Sequence, residues 1–409
     1  MFPRYASDHA KVILTDTPVL GIVGPRQAGK TTLAKSIGGE RAYFNLDDPG
    51  LRAAALDDPV GLLRDRDAVI IDEIQRAPDL MLAVKASVDA DRRPGRFIVT
   101  GSAHLLTLRT IQDSLAGRIE LLPLMPLSQD ELAATGPAHF LDRLFAADSF
   151  VEAKRDPQLI DRVLTGGFPD AIARTSAARR QDWFASYASA IAERDIPDIA
   201  NIERPATLPR LLQLVAALNG QLVNANDIGS RLGIDRKTAL RYLDLLEQTF
   251  AVRTLPSWSN NAVKRLVKAP KLHFVDTGLA AHLASFTAEK LTPEKGPFGP
   301  LLESFVLGEL DKQNRWSEGR YSFSHFRDKD GAEVDIVVEN QEGRIAGVEV
   351  KAAATVGRRD FAGLTKLAAA AGDRFAGGVV LYDGEQSLPF GEGKRAVPIS
   401  ALWAPDQAK

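Results

Sequence analysis

A glycine-rich segment that contains one lysine and two threonines has the clearest chemical pattern in the chain. It reads GPRQAGKTT over residues 24–32, after an apolar run and before the helical pattern TLAKSI. Its glycines let backbone N–H groups face phosphate oxygens, and the following helix adds its positive N-terminal end. We expect Lys30 to neutralise the β- and γ-phosphates of ATP and the Thr31 hydroxyl to complete the shell of a Mg²⁺ ion. The predicted nucleotide-binding residues are Gly24, Pro25, Arg26, Gln27, Ala28, Gly29, Lys30, Thr31 and Thr32.

Two carboxylates end the apolar pattern AVIIDE at residues 68–73. We expect Asp72 to hold Mg²⁺ through its water shell and Glu73 to polarise the water that attacks the γ-phosphate. Taken alone, two acids after a buried strand indicate an ordinary acidic loop, and the glycines alone could be a chance loop. Together with Lys30 they predict hydrolysis of ATP as well as binding.

Three further residues close to this region in the sequence have open interpretations. Thr100 and Ser102, at the end of the next strand pattern, are candidates to contact the γ-phosphate. Arg118, in SLAGRIELLPL, is either an arginine finger that stabilises transition-state charge or an ordinary cation at a helix end. A finger can act within its own chain or come from a neighbouring subunit, and the second case predicts a homo-oligomer.

Alternation in two strand patterns near the C-terminus places charged residues on common faces. In a regular strand Glu333 and Asp335 share one face, and in the next pattern Glu349 and Lys351 share one face. The apolar residues predicted for the opposite faces are Val334, Ile336 and Val338 in the first strand and Val348 and Val350 in the second. Two carboxylates and a lysine are therefore predicted to converge.

The order of these residues resembles the PD-(D/E)xK pattern of the restriction-endonuclease-type fold, in which a helix Glu, a strand Asp and a Glu-x-Lys follow one another. Glu303, Asp335, Glu349 and Lys351 fill these positions. The resemblance implies a catalytic site in which Asp335 and Glu349 bind Mg²⁺, Lys351 orients or deprotonates a water, and Glu303 tunes the site. Because Glu-x-Lys arises easily by chance on an alternating strand, an inert nuclease-like fold retained for binding is the alternative.

The region between these two sets has the pattern of a winged helix. ANDIGSRLGIDRKTALRYLDLLEQTFAV predicts a short helix, a turn at Gly233 and a longer helix, and two strand patterns follow. Arg236, Lys237 and Arg241 are predicted to contact the phosphates of duplex DNA. Nine basic residues oppose three acids between positions 231 and 271, although winged helices also serve as lids or as protein-docking modules. The nine are Arg231, Arg236, Lys237, Arg241, Arg253, Lys264, Arg265, Lys268 and Lys271.

Several motifs together resemble one family, the bacterial and archaeal AAA-type ATPases that carry a C-terminal domain of unknown function called DUF4143. In chain order the motifs are GPRQAGKTTLA, YFNLDDP, IIDEIQ, TGS, LAGR, GGFPD, the DI of AERDI, and KLHFVDTGL. The resemblance implies an AAA-type ATPase, and the predicted modules together indicate an ATP-regulated protein directed to nucleic acid, in the first instance an ATP-dependent nuclease. Two alternatives remain open: a DNA-binding ATPase switch with an inert C-terminal domain, and a protein-remodelling or scaffold ATPase.

The elements that must position these residues follow an α/β pattern. Apolar strand patterns at 18–23, 41–46, 68–73 and 96–102 alternate with helices, which predicts a parallel sheet buried on both faces. The predicted modules are a P-loop AAA-type ATPase domain at 1–165, a helical connector at 166–205, a winged helix at 206–282 and a nuclease-like α/β domain at 295–409. The Pro- and Gly-rich stretch TPEKGPFGP at 292–300 is predicted to be a linker.

Composition is typical of a globular protein with several domains, with 45% hydrophobic and 25% charged residues. The chain has no cysteine, which excludes disulfides and thiolate zinc sites. No apolar run approaches the roughly 18 residues of a bilayer span, and the N-terminus lacks the pattern of a secretory signal. We therefore expect a cytoplasmic protein without a membrane partner. A net charge of −2 argues against coating nucleic acid with the whole surface but permits a local basic face.

Overall fold

The structure is a computed structural model that describes residues 2–101, 117–146, 150, 153–202, 204–261, 265, 268–291 and 296–405. The chain divides into two units. The N-terminal unit comprises Arg4–Leu127 together with Gln248–Phe250, and the C-terminal unit comprises mainly Ser128–Glu247 and Ala251–Lys409. Apart from Gln248–Phe250, the segments predicted as helical connector, winged helix and nuclease-like domain therefore belong to one unit.

A five-stranded parallel sheet with the strand order β2-β3-β4-β1-β5 forms the centre of the N-terminal unit. Its strands are β1 (Val19–Val23), β2 (Ala42–Asn45), β3 (Val69–Asp72), β4 (Phe97–Gly101) and β5 (Ile119–Pro123). Every residue of β1, β3 and β4 is buried, as the continuous apolar patterns predicted. The sequence did not predict β5, because this strand lies at the edge of the sheet and most of its residues are partly exposed.

Five helices of the N-terminal unit lie among the described residues: α1 (Ala6–Asp16), α2 (Lys30–Ile37), α3 (Pro49–Asp57), α4 (Pro59–Leu63) and α5 (Leu80–Ala90). Aspartates cap two of them. Asp48 accepts a hydrogen bond of 2.8 Å from Leu51 N, and Asp58 accepts one of 2.7 Å from Gly61 N. Apolar clusters cover both faces of the sheet, with Val19 and Val23 in one and Leu20 and Ile22 in the other.

The C-terminal unit contains a helical part, a hairpin and a mixed sheet. Its described helices are α6 (Gln129–Ala133), α7 (Phe140–Arg143), α8 (Leu159–Thr165), α9 (Pro169–Ile172), α10 (Ala177–Ala190), α11 (Ile196–Ile199), α12 (Leu208–Ala217), α13 (Ala225–Leu232), α14 (Arg236–Gln248), α15 (Thr277–Leu283), α16 (Phe298–Gln313) and α17 (Ala362–Ala371). A π-helical turn, Ile191–Asp195, joins α10 to α11. In the part of the chain that the structure describes, no helix is long and apolar enough to span a bilayer.

Two sheets complete this unit. The hairpin pairs β6 (Val252–Leu255) with β7 (Lys271–Phe274) in antiparallel fashion. The second sheet has six strands in the order β12-β13-β11-β10-β9-β8. They are β8 (Tyr321–Arg327), β9 (Glu333–Asn340), β10 (Ile345–Lys351), β11 (Phe375–Tyr382), β12 (Leu388–Pro389) and β13 (Lys394–Pro398). Helices α12 to α14 followed by β6 and β7 reproduce the element order predicted for residues 206–282.

The face prediction for β9 is wrong, because a β-bulge interrupts the strand. Ser324 pairs with Val337 and Phe326 pairs with Val334, so His325 alone stands opposite Asp335 and Ile336. The extra residue breaks the alternation. Val334 therefore packs in a different apolar cluster from Ile336 and Val338, with which the sequence had grouped it.

The predicted linker is also partly wrong. Its last residues, Phe298 to Pro300, form the first turn of α16. Proline is compatible with the first turn of a helix because the N–H groups there have no partner within the helix. Residues 292–295 lie outside the described residues.

Candidate functional site

The loop between β1 and α2 has backbone geometry that requires glycine. Gly24 has φ +151°, and a Cβ there would lie 2.2 Å from the carbonyl oxygen of Leu124. Gly29 has φ +94°, whereas the nearest described atom to a Cβ at that position would be Nη1 of Arg4, at 3.9 Å. Gly24 is therefore required by close approach of two backbones, and Gly29 by a conformation that L-residues rarely adopt.

Lys30 and Thr31 begin α2 directly after this loop. The buried Lys30 ammonium donates hydrogen bonds to the carbonyl oxygens of Gly24, at 3.0 Å, and Pro25, at 2.9 Å. The Thr31 Oγ1 atom donates to the Asp72 carboxylate and lies 3.0 Å from both of its oxygens. The glycine loop, the ammonium and the acidic strand end that the sequence predicted are thus adjacent.

Asp72 is the centre of a hydroxyl network that the sequence did not predict. Besides Thr31, its carboxylate accepts hydrogen bonds from the Tyr43 hydroxyl, at 2.7 Å, and from the Thr100 hydroxyl. Burial and the Asp72 carboxylate raise the pKa of Tyr43, so this phenol stays protonated and donates. The signal available in the sequence was a tyrosine in the β2 pattern, but only strand pairing reveals that β2 lies beside β3.

Glu73 has a left-handed backbone, with φ +59°, immediately after β3. Its N–H donates to the Thr100 Oγ1 atom at 3.2 Å, and its carboxylate accepts from the Gln75 side-chain amide. Because Thr100 is fully buried and binds both acidic residues, its hydroxyl positions them and is not free to contact a γ-phosphate. Ser102, the other residue proposed for that contact, lies outside the described residues.

The donor set at this site fits ATP with Mg²⁺. Hydroxyl and carboxylate oxygens, the hard ligands that Mg²⁺ prefers, meet at Thr31 and Asp72. The Lys30 ammonium and the N-terminus of α2 supply positive charge where phosphates are expected. Glu73 follows the same strand end and is therefore adjacent to the predicted metal position.

Arg118 lies at the opposite end of the strands from the glycine loop, which argues against the predicted role as a finger within its own chain. It directly precedes β5, whose Ile119 pairs in parallel with Val19 at the start of β1, whereas the glycine loop follows the end of β1. At about 3.3 Å per residue, the five-residue strand separates the two ends by roughly 17 Å. The Arg118 Nε atom instead forms an ion pair of 2.6 Å with Asp89 on α5.

We expect Arg118→Ala to retain the ATPase rate of the wild type at every protein concentration, because the guanidinium is paired with Asp89. Asp89→Ala breaks the same ion pair but keeps the arginine, and it is the matched control. Phosphate release should be measured for all three proteins across a concentration series. A loss of activity in Arg118→Ala, but not in Asp89→Ala, would assign Arg118 to the site of a neighbouring subunit.

The four residues matched to the nuclease-like pattern form one cluster, together with a lysine that the sequence did not assign to it. The Lys271 ammonium, from β7, lies 3.1 Å from the Glu303 carboxylate on α16 and 3.3 Å from Asp335 on β9. The second oxygen of Asp335 accepts a hydrogen bond of 2.9 Å from the N–H of Val350, on β10. Lys271 begins the strand pattern KLHF, all of whose residues are buried, and a buried lysine implies a carboxylate partner.

Glu349 and Lys351 form the other part of this carboxylate cluster, with 2.8 Å between Nζ and Oε1. Burial, together with the nearby Asp335, raises the pKa of both Glu303 and Glu349. Burial alone would lower the pKa of Lys271, but the Glu303 and Asp335 carboxylates raise it. A raised pKa favours the neutral form of Glu349, whose buried Oε2 atom has no hydrogen-bond partner among the described residues.

This arrangement does not fit the divalent metal predicted for Asp335 and Glu349. Both Asp335 oxygens are already engaged, one by the Lys271 ammonium and one by a backbone N–H. Across the ranges that the structure describes, no three His, Asp or Glu side chains are placed to hold a metal ion together. A protein cation therefore lies where the carboxylates would otherwise attract a metal.

The three cations predicted to contact DNA lie in the first half of α14, and all are exposed. Asp235 precedes the helix and accepts a hydrogen bond of 3.0 Å from Thr238 N, which starts the helix at Arg236. Arg241 donates to the carbonyl oxygen of Asn201 at 2.9 Å, whereas Arg236 and Lys237 lie in the first turn. Arg253 and Lys271 are two of the nine basic residues counted between positions 231 and 271, and each forms an ion pair with a carboxylate. Lys264 lies outside the described residues.

Two motifs that identified the family resemblance contact each other. The Asp276 carboxylate, in VDTGL, caps α15 through Leu279 N at 3.0 Å and accepts a second bond from Gly167 N, in GGFPD, at 2.7 Å. A Cβ on Gly166 would lie 2.3 Å from that carboxylate. These motifs therefore stabilise the helical part of the C-terminal unit.

Comparison with known proteins adds the following similarities. A family model described as an AAA domain matches residues 16–133, and one described as a domain of unknown function (DUF4143) matches residues 298–402. A third, described as a domain of unknown function (DUF8612), matches residues 156–290. The uncharacterized proteins Rv2008c of Mycobacterium tuberculosis and Mb2031c of Mycobacterium bovis are each 31% identical over 405 residues, which cover 98% of this chain and 84% of theirs.

Solved structures show only distant similarity. A signal transduction ATPase with numerous domains and a tetratricopeptide repeat sensor, from Pyrococcus horikoshii, has 13% identity, a TM-score of 0.27 and coverage of 76% of this chain and 46% of its own. A DNA replication initiation factor has 12% identity and a TM-score of 0.29, with coverage of 59% and 86%. A RuvB variant of Thermotoga maritima has 19% identity and a TM-score of 0.27, with coverage of 61% and 86%.

Proposed function

Because the chain belongs to the family of AAA-type ATPases that carry a C-terminal DUF4143 domain, we propose that it hydrolyses ATP in the N-terminal unit and that nucleic acid regulates this hydrolysis. ATP hydrolysis is supported above all by one observation: Lys30, Thr31 and Asp72 lie close together beside the glycine loop. The family and this geometry support ATP as the substrate. The nucleic-acid part is supported by the exposed cations of α14.

The residues of the site have separate roles in this proposal. Backbone N–H groups of the glycine loop and the Lys30 ammonium bind the phosphates of ATP. Thr31 and Asp72 would hold Mg²⁺, which neutralises charge on the phosphate oxygens. Tyr43 and Thr100 fix the Asp72 carboxylate through hydrogen bonds. Glu73 takes a proton from the attacking water, and Gln75 orients its carboxylate.

Measurement of phosphate release tests the ATPase part directly. Full-length protein should release phosphate from ATP in the presence of Mg²⁺, and duplex DNA should change the rate. Absence of phosphate release, with and without DNA, would contradict ATP hydrolysis. An unchanged rate at saturating DNA would contradict only the regulation.

The α12–α14 helices with the β6–β7 hairpin are proposed to be a winged helix whose third helix contacts duplex DNA. We expect reversal of Arg236, Lys237 and Arg241 to Glu to weaken DNA binding sharply and to lower the slope of log affinity against log salt by about one unit per lost phosphate contact. Fluorescence anisotropy with a labelled duplex, between low and physiological salt, measures both quantities.

A control with the same change in charge separates local contacts from overall charge. Lys290, Arg358 and Arg359 are also exposed, and their reversal to Glu changes the net charge by the same amount. The control should retain most of the affinity. Equal loss in the two triple variants would mean that overall charge, and not α14, determines binding.

The C-terminal domain is proposed to have a nuclease-like fold, and the placement of Glu303, Asp335, Glu349 and Lys351 in one cluster supports this. The same cluster favours the alternative in which the fold is catalytically inert as it stands. Lys271 and Lys351 already compensate its carboxylates. We therefore assign no phosphodiester cleavage to this arrangement.

A further inference from the structure

The most unusual charged group in the C-terminal unit is the lysine at the start of β7. Lys271 is only 6% exposed, and its neighbours along the strand, Leu272 to Phe274, are buried as well. An ammonium group in such surroundings is unfavourable unless carboxylates compensate its charge. Its partners, Glu303 and Asp335, come from a helix and from a strand that lie far along the chain.

The backbone around Lys271 is fixed from two sides. It pairs with Leu255 within the hairpin and forms an additional bridge with Leu222. Two residues further along the strand, the His273 ring contacts the Ser304 hydroxyl at 2.7 Å, next to Glu303 on α16. The position of the ammonium between the carboxylates is therefore determined by backbone pairing and helix contact, and does not depend on the flexibility of a surface side chain.

The position of the Asp335 carboxylate is fixed as well as that of the Lys271 ammonium. It lies in the β-bulge of β9 opposite His325; one of its oxygens accepts from the Lys271 ammonium and the other from the Val350 N–H. Bulges commonly redirect a side chain next to a functional site. Here the redirected carboxylate meets a lysine from the hairpin.

We propose that the Lys271 ammonium is the resident cation of this carboxylate cluster and excludes divalent metal from Asp335. The hairpin β6–β7 thereby closes the nuclease-like site from within the same unit. Coulomb repulsion between an ammonium and a metal ion that shared Asp335 would be large in buried surroundings, so the two cations exclude each other. Metal binding at this position requires withdrawal or removal of Lys271.

Mn²⁺ binding to the full-length, nucleotide-free chain tests this proposal. The electron paramagnetic resonance signal of free Mn²⁺ reports the number of ions bound. Wild type and Asp335→Asn should bind Mn²⁺ equally, because Asp335 is not available to the metal. Lys271→Met should bind one more Mn²⁺ ion per chain than the wild type does, and Lys271→Met/Asp335→Asn should lose this additional site.

Lys268→Met is the matched control, because it removes the same charge from the exposed lysine three residues earlier. It should gain no site. If Lys271→Met unfolds because buried carboxylates lose their cation, Lys271→Met/Glu303→Gln removes one of them and should fold with the gained site. The proposal is overturned if the wild type binds an ion that Asp335→Asn loses, or if a folded Lys271 variant gains none.

Discussion

Glu73→Gln is expected to bind ATP as tightly as the wild type and to hydrolyse it about 10²- to 10⁴-fold more slowly, the range by which a positioned general base accelerates proton transfer. The amide has nearly the shape of the carboxylate and still offers an oxygen to the Gln75 amide that now donates to Glu73. It does not accept a proton from water. Glutamine also tolerates the left-handed backbone about as well as glutamate does, so the turn after β3 should persist.

Two measurements on the same protein separate binding from turnover. Phosphate release gives the rate, and anisotropy of a fluorescent ATP analogue gives the affinity. Glu40→Gln is the control, because Glu40 is exposed and precedes β2, away from the site residues. Turnover close to that of the wild type in Glu73→Gln would show that another group activates the water.

Lys30→Ala should lose affinity for ATP by roughly 100-fold, because hydrogen bonds to charged groups contribute about 1.5–3 kcal/mol and about 2.7 kcal/mol corresponds to that factor. The ammonium is buried at the start of α2, where loop carbonyl oxygens already orient it. Calorimetry with ATP and Mg²⁺ measures the change.

Lys11→Ala provides the comparison for Lys30→Ala, since it removes one positive charge from an exposed position on α1. Its affinity should equal that of the wild type. The melting temperature of Lys30→Ala should be recorded as well, because Gly24 and Pro25 lose a hydrogen-bond donor. A folded Lys30→Ala protein with unchanged affinity would remove Lys30 from the nucleotide site.

Local sequence was sufficient to predict the glycine loop and the strands β1 to β4 of its sheet, but not β5. Both depend on local properties: continuous apolar runs predict strands of a parallel sheet that is buried on both faces, and Gly24 and Gly29 adopt positive φ next to a helix start. Because Lys30 and Thr31 follow directly on the loop, their placement needs no information about distant residues. Asp72 and Glu73 were found because an acidic pair ended a strand pattern.

Contacts between distant residues, in contrast, depend on how the strands are arranged in the folded sheet. Tyr43 reaches Asp72 because β2 pairs with β3. Arg118 lies far from the glycine loop because the first residue of β5 pairs with the first residue of β1, whereas the loop follows the last residue of β1. Neither pairing can be predicted from the local sequence pattern. Parallel strands are connected by long crossover segments, so neighbours in the sheet lie far apart in the sequence. Their order and register therefore depend on the packing of the whole sheet.

The carboxylate cluster likewise has one part that the sequence pattern predicted and another that depends on the fold. The pattern of Glu303, Asp335, Glu349 and Lys351 predicted that these residues converge, and they do. Alternation could not reveal the bulge at Asp335, because one extra residue in a strand leaves the composition of the pattern unchanged. Lys271 joins the cluster from a third segment, and its buried charge is stable only because folding brings two carboxylates to it from elsewhere in the chain.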